Sequence, residues 1–375
     1  MDPLRRGWML GMAAAVVLGT MAPAVRAQEQ ESPQAVQKLY QQIVARGIQY
    51  LEQHQEPDGS FSKQVGPAVT ALVCTALLRH GRSVNDPVVR KALKFLEGYI
   101  QPSGGIHHPR SRYRNYETSV AVMCFKQANR DGRYDQVLKN AERFLKQLQW
   151  DETEGKDRSD PSYGGAGYGR HKRPDLSNTS FLIEALKELG AGPDDPAMKK
   201  ALVFVSRCQN LETEHNTTPF AAKNPDGGFY YTPAAGGTSQ AGKTPEGGLR
   251  SYASMTYAGL KSMIYAGVDK NDPRVKAAVQ WCRRHYDLKS NPGLGLAGLY
   301  YYYHTFAKAL DALGEDVFED AQGRKHHWRH ELIRELASRQ QRDGSWVNEN
   351  SRWLEGDPNL VTAYALLALA HARPK

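Results

Sequence analysis

The sequence predicts an all-α fold, an (α/α)6 toroid in which six helical hairpins close into a ring. Three observations predict it. An apolar segment of helical length with a threonine near its start recurs six times in the 375 residues. A second, amphipathic helical segment precedes each of the six. Gly-rich turns join the members of several pairs, and no strand-rich stretch interrupts the series. One such hairpin cannot bury its apolar face alone, whereas stacked neighbours can. Neither end of the series is a polar capping repeat, which favours a closed ring over an open solenoid.

The chain starts with a segment of another kind. Residues 1–27, MDPLRRGWMLGMAAAVVLGTMAPAVRA, have the layout of an export signal: Arg5 and Arg6, an apolar run from Gly7 to Met21, and a small-residue cleavage site at Val25-Arg26-Ala27. The apolar run falls short of the roughly 20 residues that span a bilayer comfortably. An uncleaved anchor is the alternative. RRGWML also resembles a twin-arginine signal, with Leu4 where a polar residue usually stands. The expectation is an exported protein, periplasmic or extracellular, by either route. Residues 28–39 read as a short flexible N-terminus and residues 40–375 as a single toroid domain, with no further membrane span.

The six threonines are Thr70, Thr118, Thr179, Thr256, Thr305 and Thr362. Each suits the first turn of a helix, where its hydroxyl can satisfy an orphan backbone N–H. The preceding segments are RGIQYLEQHQ, KALKFLEGYI, NAERFLKQLQ, KALVFVSRCQ, AAVQWCRRHY and HELIRELASRQQ. An aromatic recurs in them at Tyr50, Phe95, Phe144, Phe204 and Trp281; the sixth has Glu335 there. Several stop at turn chemistry: EPDGSF, QPSGGI and QRDGSW. Residues 153–170 and 210–250, rich in Gly, Pro and Thr, read as long loops before inner helices and so as lids over a shared mouth.

The formal net charge is +9, and +7 without residues 1–27, which hold three arginines and one aspartate. The basic residues are spread along the chain and no nucleic-acid motif appears, so nucleic acid is not an expected partner. Cys74, Cys124, Cys208 and Cys282 all sit in apolar helical patterns and read as buried free thiols.

YLEQHQEPDGSF at 50–61 and ELASRQQRDGSW at 335–346 share a spacing of aromatic or substitute, Leu, Gln and Gly-Ser-aromatic. This resembles the QW repeat of squalene and hopene cyclases and the hairpin repeat of protein prenyltransferase β subunits. The resemblance covers about residues 40–372. It implies the toroid; function does not travel as easily. In class II terpene cyclases, the turn before one inner helix carries D-x-D-D followed by Thr, whose central Asp protonates an alkene or epoxide. The stretch that resembles it is Asp175-Leu176-Ser177-Asn178-Thr179, with Ser177 and Asn178 where the acids belong. In prenyltransferases Asp, Cys and His bind zinc. His304 resembles the histidine, but Ser254-Met255-Thr256-Tyr257 replaces the D-x-C-Y pattern. One imidazole does not hold a catalytic zinc, so neither metal nor other cofactor is expected. His326 and His330 in KHHWRHE read as two histidines on one helical face, more fitting for an exposed polar surface than for a metal.

The residues before the threonines place a site at one end of the ring. Catalytic candidates are Glu117, Asp175 and His304. Ligand-binding candidates are Tyr116, Glu117, Asn178, Arg250, Tyr252, Met255, Tyr257, Tyr303 and His304. Inner-helix N-termini converging there would favour anionic ligand groups, with Arg114, Arg170, His171 and Arg250 as a cationic cluster. Asp175, among short polar side chains at a helix start, is expected to cap the helix and to have a lowered pKa. The leading expectation is a binding or scaffold toroid whose cavity takes a hydrophobic, amphipathic or polyol molecule. The alternatives are an active terpene cyclase- or prenyltransferase-like enzyme on a lipid, and a carbohydrate-active toroid using two carboxylates.

Overall fold

The computed structural model describes residues 32–169 and 173–374. The expected signal at 1–27, and Arg170 and His171, lie outside the described residues. Twelve α-helices follow in chain order: α1 (Pro33–Gln53), α2 (Ala68–Arg79), α3 (Pro87–Glu97), α4 (Arg114–Ala128), α5 (Asp135–Lys146), α6 (Leu176–Glu188), α7 (Pro196–Arg207), α8 (Ala253–Tyr265), α9 (Pro273–Arg284), α10 (Leu299–Leu313), α11 (Trp328–Arg339) and α12 (Pro358–His371). A two-stranded antiparallel hairpin, β1 (Phe318–Glu319) and β2 (Lys325–His326), lies between α10 and α11. None of the described helices is long and apolar enough to cross a membrane. Helix α1 begins at Pro33, so residues 33–39, expected to be flexible, are helical.

The even-numbered helices form a closed inner ring. Each of α2, α4, α6, α8 and α10 packs on the next, and α12 packs back on α2. The odd-numbered helices lie outside: α3, α5, α7 and α9 pack on the inner helices before them, α2, α4, α6 and α8, and α1 packs on both α11 and α12. Outer helices bury one stripe; in α5 it is Leu138, Ala141, Phe144 and Leu145. Inner helices are buried almost all round, as a helix between lumen, neighbours and outer layer must be.

Three repeated residues build most of the joints. The threonine hydroxyl accepts the N–H of the residue that closes the preceding turn: Phe61, Ile106, Ala166, Phe229 and Trp346 donate to Thr70, Thr118, Thr179, Thr256 and Thr362 at 2.9–3.1 Å. The threonine therefore serves the turn and not the orphan N–H of its own helix. Thr305 differs; its hydroxyl donates to the carbonyls of Tyr301 and Tyr302. In four joints the glutamine ending an outer segment ties its own turn to the next outer helix. Gln55 donates to Gly59 O and Val88 O, Gln149 to Gly164 O and Ala197 O, and Gln209 to Gly227 O and Arg274 O. Gln340 donates to Gly344 O and, across the ends of the chain, to Ile43 O in α1, both at 2.9 Å.

The turn glycine completes the joint. Gly164 has φ +83°, and a Cβ there would stand 1.8 Å from the carbonyl oxygen of Lys200 in α7. Gly344, at φ +94°, sits in the same way on Arg46 in α1, where a Cβ would be 2.5 Å from its carbonyl oxygen. Only glycine fits where φ is positive and another backbone approaches so closely. The last hairpin thus docks on the first helix by the same contacts that join the others, and the ring needs no cap. Glu335, at the recurrent aromatic position, is buried against Lys289 and Arg339. All four cysteines are buried free thiols.

Candidate ligand site at the mouth of the inner ring

Hairpin order makes all inner helices run the same way, so their threonine ends share one end of the ring. Four rings from four inner helices meet in a layer there. Tyr116 (α4) packs edge-on against Phe181 (α6) with centroids 5.0 Å apart, Phe181 lies 6.2 Å from Tyr301 (α10), and Tyr301 lies 6.1 Å from Tyr364 (α12). The hydroxyls of Tyr116 and Tyr364 are 3.2 Å apart. Ser177, in the first turn of α6, pairs its hydroxyl with that of Tyr301 at 2.9 Å. Tyr116, Ser177 and Tyr301 are only partly buried, whereas Phe181 and Tyr364 are buried.

Beside it stands Asp175, the N-cap of α6. Its carboxylate accepts the backbone N–H of Asn178 at 2.9 Å and the Asn178 side-chain amide on both oxygens, and Tyr231 also hydrogen-bonds to it. The expected cap is present, but the expected lowered pKa is not. Burial pushes Asp175 up to about 6, and the hydrogen bonds of Asn178 and Tyr231 offset only part of it. The helix N-terminus contributes about 0.3–1 kcal/mol; loss of hydration at 2% exposure outweighs it.

Both long loops reach this end. Tyr231 O accepts the N–H of Leu176, and Thr232 donates to Pro174 O, so the loop before α8 is fastened across the start of α6. The loop before α6 is fastened to α4: Asn115 donates its backbone N–H to Tyr168 O and its amide to Gly167 O. At α6, α8, α10 and α12 the helix starts are not free for an anion. Glu355 accepts the N–H groups of Tyr300 and Tyr301 at the start of α10, Asn291 accepts Ser254 N at α8, and Asp357 accepts Asn359 N and Leu360 N at α12. Intramolecular oxygens thus occupy the donors that the sequence offered to a ligand.

The other residues singled out in the sequence separate into groups. Glu117 is buried and turned to its own loop, accepting His108 N at 2.9 Å and Ser111 Oγ at 2.6 Å; burial raises its pKa. Asn178 is spent on Asp175. Tyr257 packs on Tyr302 and Phe306, and Tyr303 donates to Leu288 O, so both belong to packing rather than to the aromatic layer. Tyr252 and Met255 are buried at the start of α8. Arg250 is exposed, with its guanidinium on Lys243 O of the same loop, and Arg114 donates to Ser111 O. No cationic cluster forms from these two. His304 lies below the layer, 5.6 Å from the ring of Tyr364. His326 is in β2, not on a helix; it bridges Asp320 and Glu331 at 3.0–3.1 Å.

Tyr364, Phe181 and Tyr231 were missed. Phe181 and Tyr301 carried a signal: with Ser177 and His304 they stand at helical spacing on α6 and α10. Tyr231 carried none, because a loop brings it from another repeat.

The chain matches no protein-family model and no curated protein sequence. It is similar in structure to a variant of the type II terpene cyclase MstE from Scytonema, with a TM-score of 0.54 at 13% identity over 91% of this chain and 99% of the other. It is also similar to a protein from Actinoplanes, at 0.50 and 16% over 89% and 99%. A family 76 glycoside hydrolase from a bovine Bacteroides thetaiotaomicron strain gives 0.52 and 11% over 88% and 77%. At such identities the likeness is one of fold. The protein has the all-α toroid fold of the terpenoid cyclases, which the glycoside hydrolase shares.

Proposed function

We propose that the chain is an exported ligand-binding toroid that takes an apolar or amphipathic small molecule against the layer of Tyr116, Phe181, Tyr301 and Tyr364. One observation carries the reading. Where the class II cyclase pattern has its acid, Ser177 holds a neutral hydroxyl paired with Tyr301, beside partly buried aromatic rings. Aromatic rings with a few fixed hydroxyls suit an apolar body bearing an occasional polar group. A glycosidase needs two carboxylates facing the sugar; Glu117 and Asp175 are both engaged within the protein.

A second reading has its own support. Asp175 is buried beside the aromatic layer with a pKa of about 6, so a lipid-directed enzyme would use it as the proton donor in mild acid. The test of the first reading is extraction of the purified protein and mass spectrometry of what it retains. The expected result is an apolar or amphipathic molecule held by the wild type and lost from a folded Tyr301→Ala variant. Equal retention by both proteins, or an empty wild type that also fails to bind any added isoprenoid, overturns it.

A further inference from the structure

Below the aromatic layer the inner helices carry three charges in otherwise apolar sequence: Glu184 on α6, Lys261 on α8 and Lys308 on α10. They are 3%, 1% and 3% exposed. Lys261 Nζ donates to one oxygen of Glu184 and Lys308 Nζ to the other. Two ammonium groups thus meet one carboxylate. A surplus positive charge in so dry a place is heavily penalised unless something neutralises it. Burial pushes both lysines down, and Lys308 adds its own repulsion to Lys261. His304 adds an independent sign. It is 2% exposed, and neither of its ring nitrogens has a partner.

This cluster lies towards the end of the ring opposite the aromatic layer. That end opens into a cavity of about 680 Å3 lined by Arg79, Arg130, Arg373, His371 and, as the one acid, Asp311. Asp311 is taken by Arg329 at 2.7 Å and by His371 Nδ1 at 2.9 Å. Arg79 donates to His371 Nε2, so the proton of that ring is on Nδ1, and His371 is neutral with a pKa held down to about 4 by burial. The cavity therefore presents three arginines, of which Arg79 also pairs with Glu188 at 3.4 Å. Lys308 is close enough to Arg79, and to the Glu188 that pairs with Arg79, for their charges to act on one another. Cations at helix C-termini also offset the helix dipole. That accounts for Arg79, in the last turn of α2, but not for the surplus lysine or the bare imidazole of His304.

We propose that the lower lumen is an anion site, in which a phosphate or a small carboxylate entering from this cavity binds Lys308, Lys261 and His304. The anion supplies the negative charge that the lysine pair lacks and acceptors for donors that Glu184 leaves unused. The site is separate from the aromatic layer, and its failure would leave the reading of that layer untouched.

The test is thermal unfolding of the wild-type chain in inorganic phosphate and, separately, in acetate, at constant ionic strength set with sodium chloride. The site predicts a rise in Tm of about 2 °C or more at a hundredfold excess over Kd in at least one arm. The arm that responds identifies phosphate or carboxylate. The rise should vanish in Lys308→Met and persist in Lys308→Arg. No rise in either arm, or an equal rise in Lys308→Met, overturns the proposal. Should Lys308→Met fail to fold, the His304 ring resonances of the wild type decide: they must shift on titration with the responding anion, and unmoved resonances overturn the site.

Discussion

Asp175→Asn gives the sharpest view of how burial and hydrogen bonding compete at the mouth of the ring. The folded pKa of Asp175 is raised from the ordinary 3.8 to about 6. The folded state therefore binds a proton more tightly than the unfolded chain. Its contribution to stability is fully present below pH 3.8 and is lost as pH rises through about 6. A difference of about 2 units is worth ~3 kcal/mol at 1.36 kcal/mol per unit. The side chain is buried, so solvent screening takes little from that figure. The asparagine variant does not titrate. It loses stability at every pH, because it cannot accept from Asn178 with both terminal atoms. The wild type's advantage over it should nevertheless shrink by about 2.5 kcal/mol between pH 4 and 7, since at pH 4 the unfolded carboxyl is already more than half ionised. In a melt that is about 4 °C, from an unfolding entropy of ~2.1 cal/mol/K per residue over about 340 residues. Parallel melts of the two proteins from pH 4 to 7.5 read it directly. An advantage that stays flat, or grows with pH, would refute the argument and return Asp175 to an ordinary or lowered pKa.

Other outcomes follow from the joints and the aromatic layer. Gln340→Ala removes both 2.9 Å bonds that tie the last hairpin to its turn and to α1; at 0.5–1.5 kcal/mol each it should cost about 1–3 kcal/mol, read as a lower midpoint in urea. Gly164→Ala should prevent folding or lower Tm severely, because its Cβ meets Lys200 O, whereas Gly192→Ala, with nothing within 4 Å, should be near neutral by the same melt. Tyr301→Phe loses the hydroxyl pair with Ser177 and should cost about 1 kcal/mol of stability with retention of an apolar ligand little changed, by denaturation and extraction together.

The ring was legible because it is repeated physics. Thr, Gln and Gly make the same three contacts at joint after joint, so their spacing in sequence carries the fold. The site was less legible because it depends on facing and on distance along the chain. Tyr116 and His304 were found at helix starts, but the same rule selected Tyr257 and Tyr303, which the ring turns into packing. Tyr231 reaches Asp175 from a loop more than fifty residues away, and Glu355 caps α10 from the next repeat; no local pattern announces either. The pKa of Asp175 was misread because a helix-start rule of under 1 kcal/mol was set against a burial effect several times larger. The charges at Glu184, Lys261 and Lys308 stood in plain view as single charged residues inside apolar inner segments.

The account's central claim is that this toroid binds at its aromatic layer without cyclase chemistry. Incubation of the wild type and Asp175→Asn with squalene and with geranylgeranyl diphosphate, from pH 5 to 8, tests it most directly. The account predicts bound but unchanged substrate with both proteins. Cyclised product from the wild type, absent with Asp175→Asn, would contradict it and make Asp175 the acid of an enzyme.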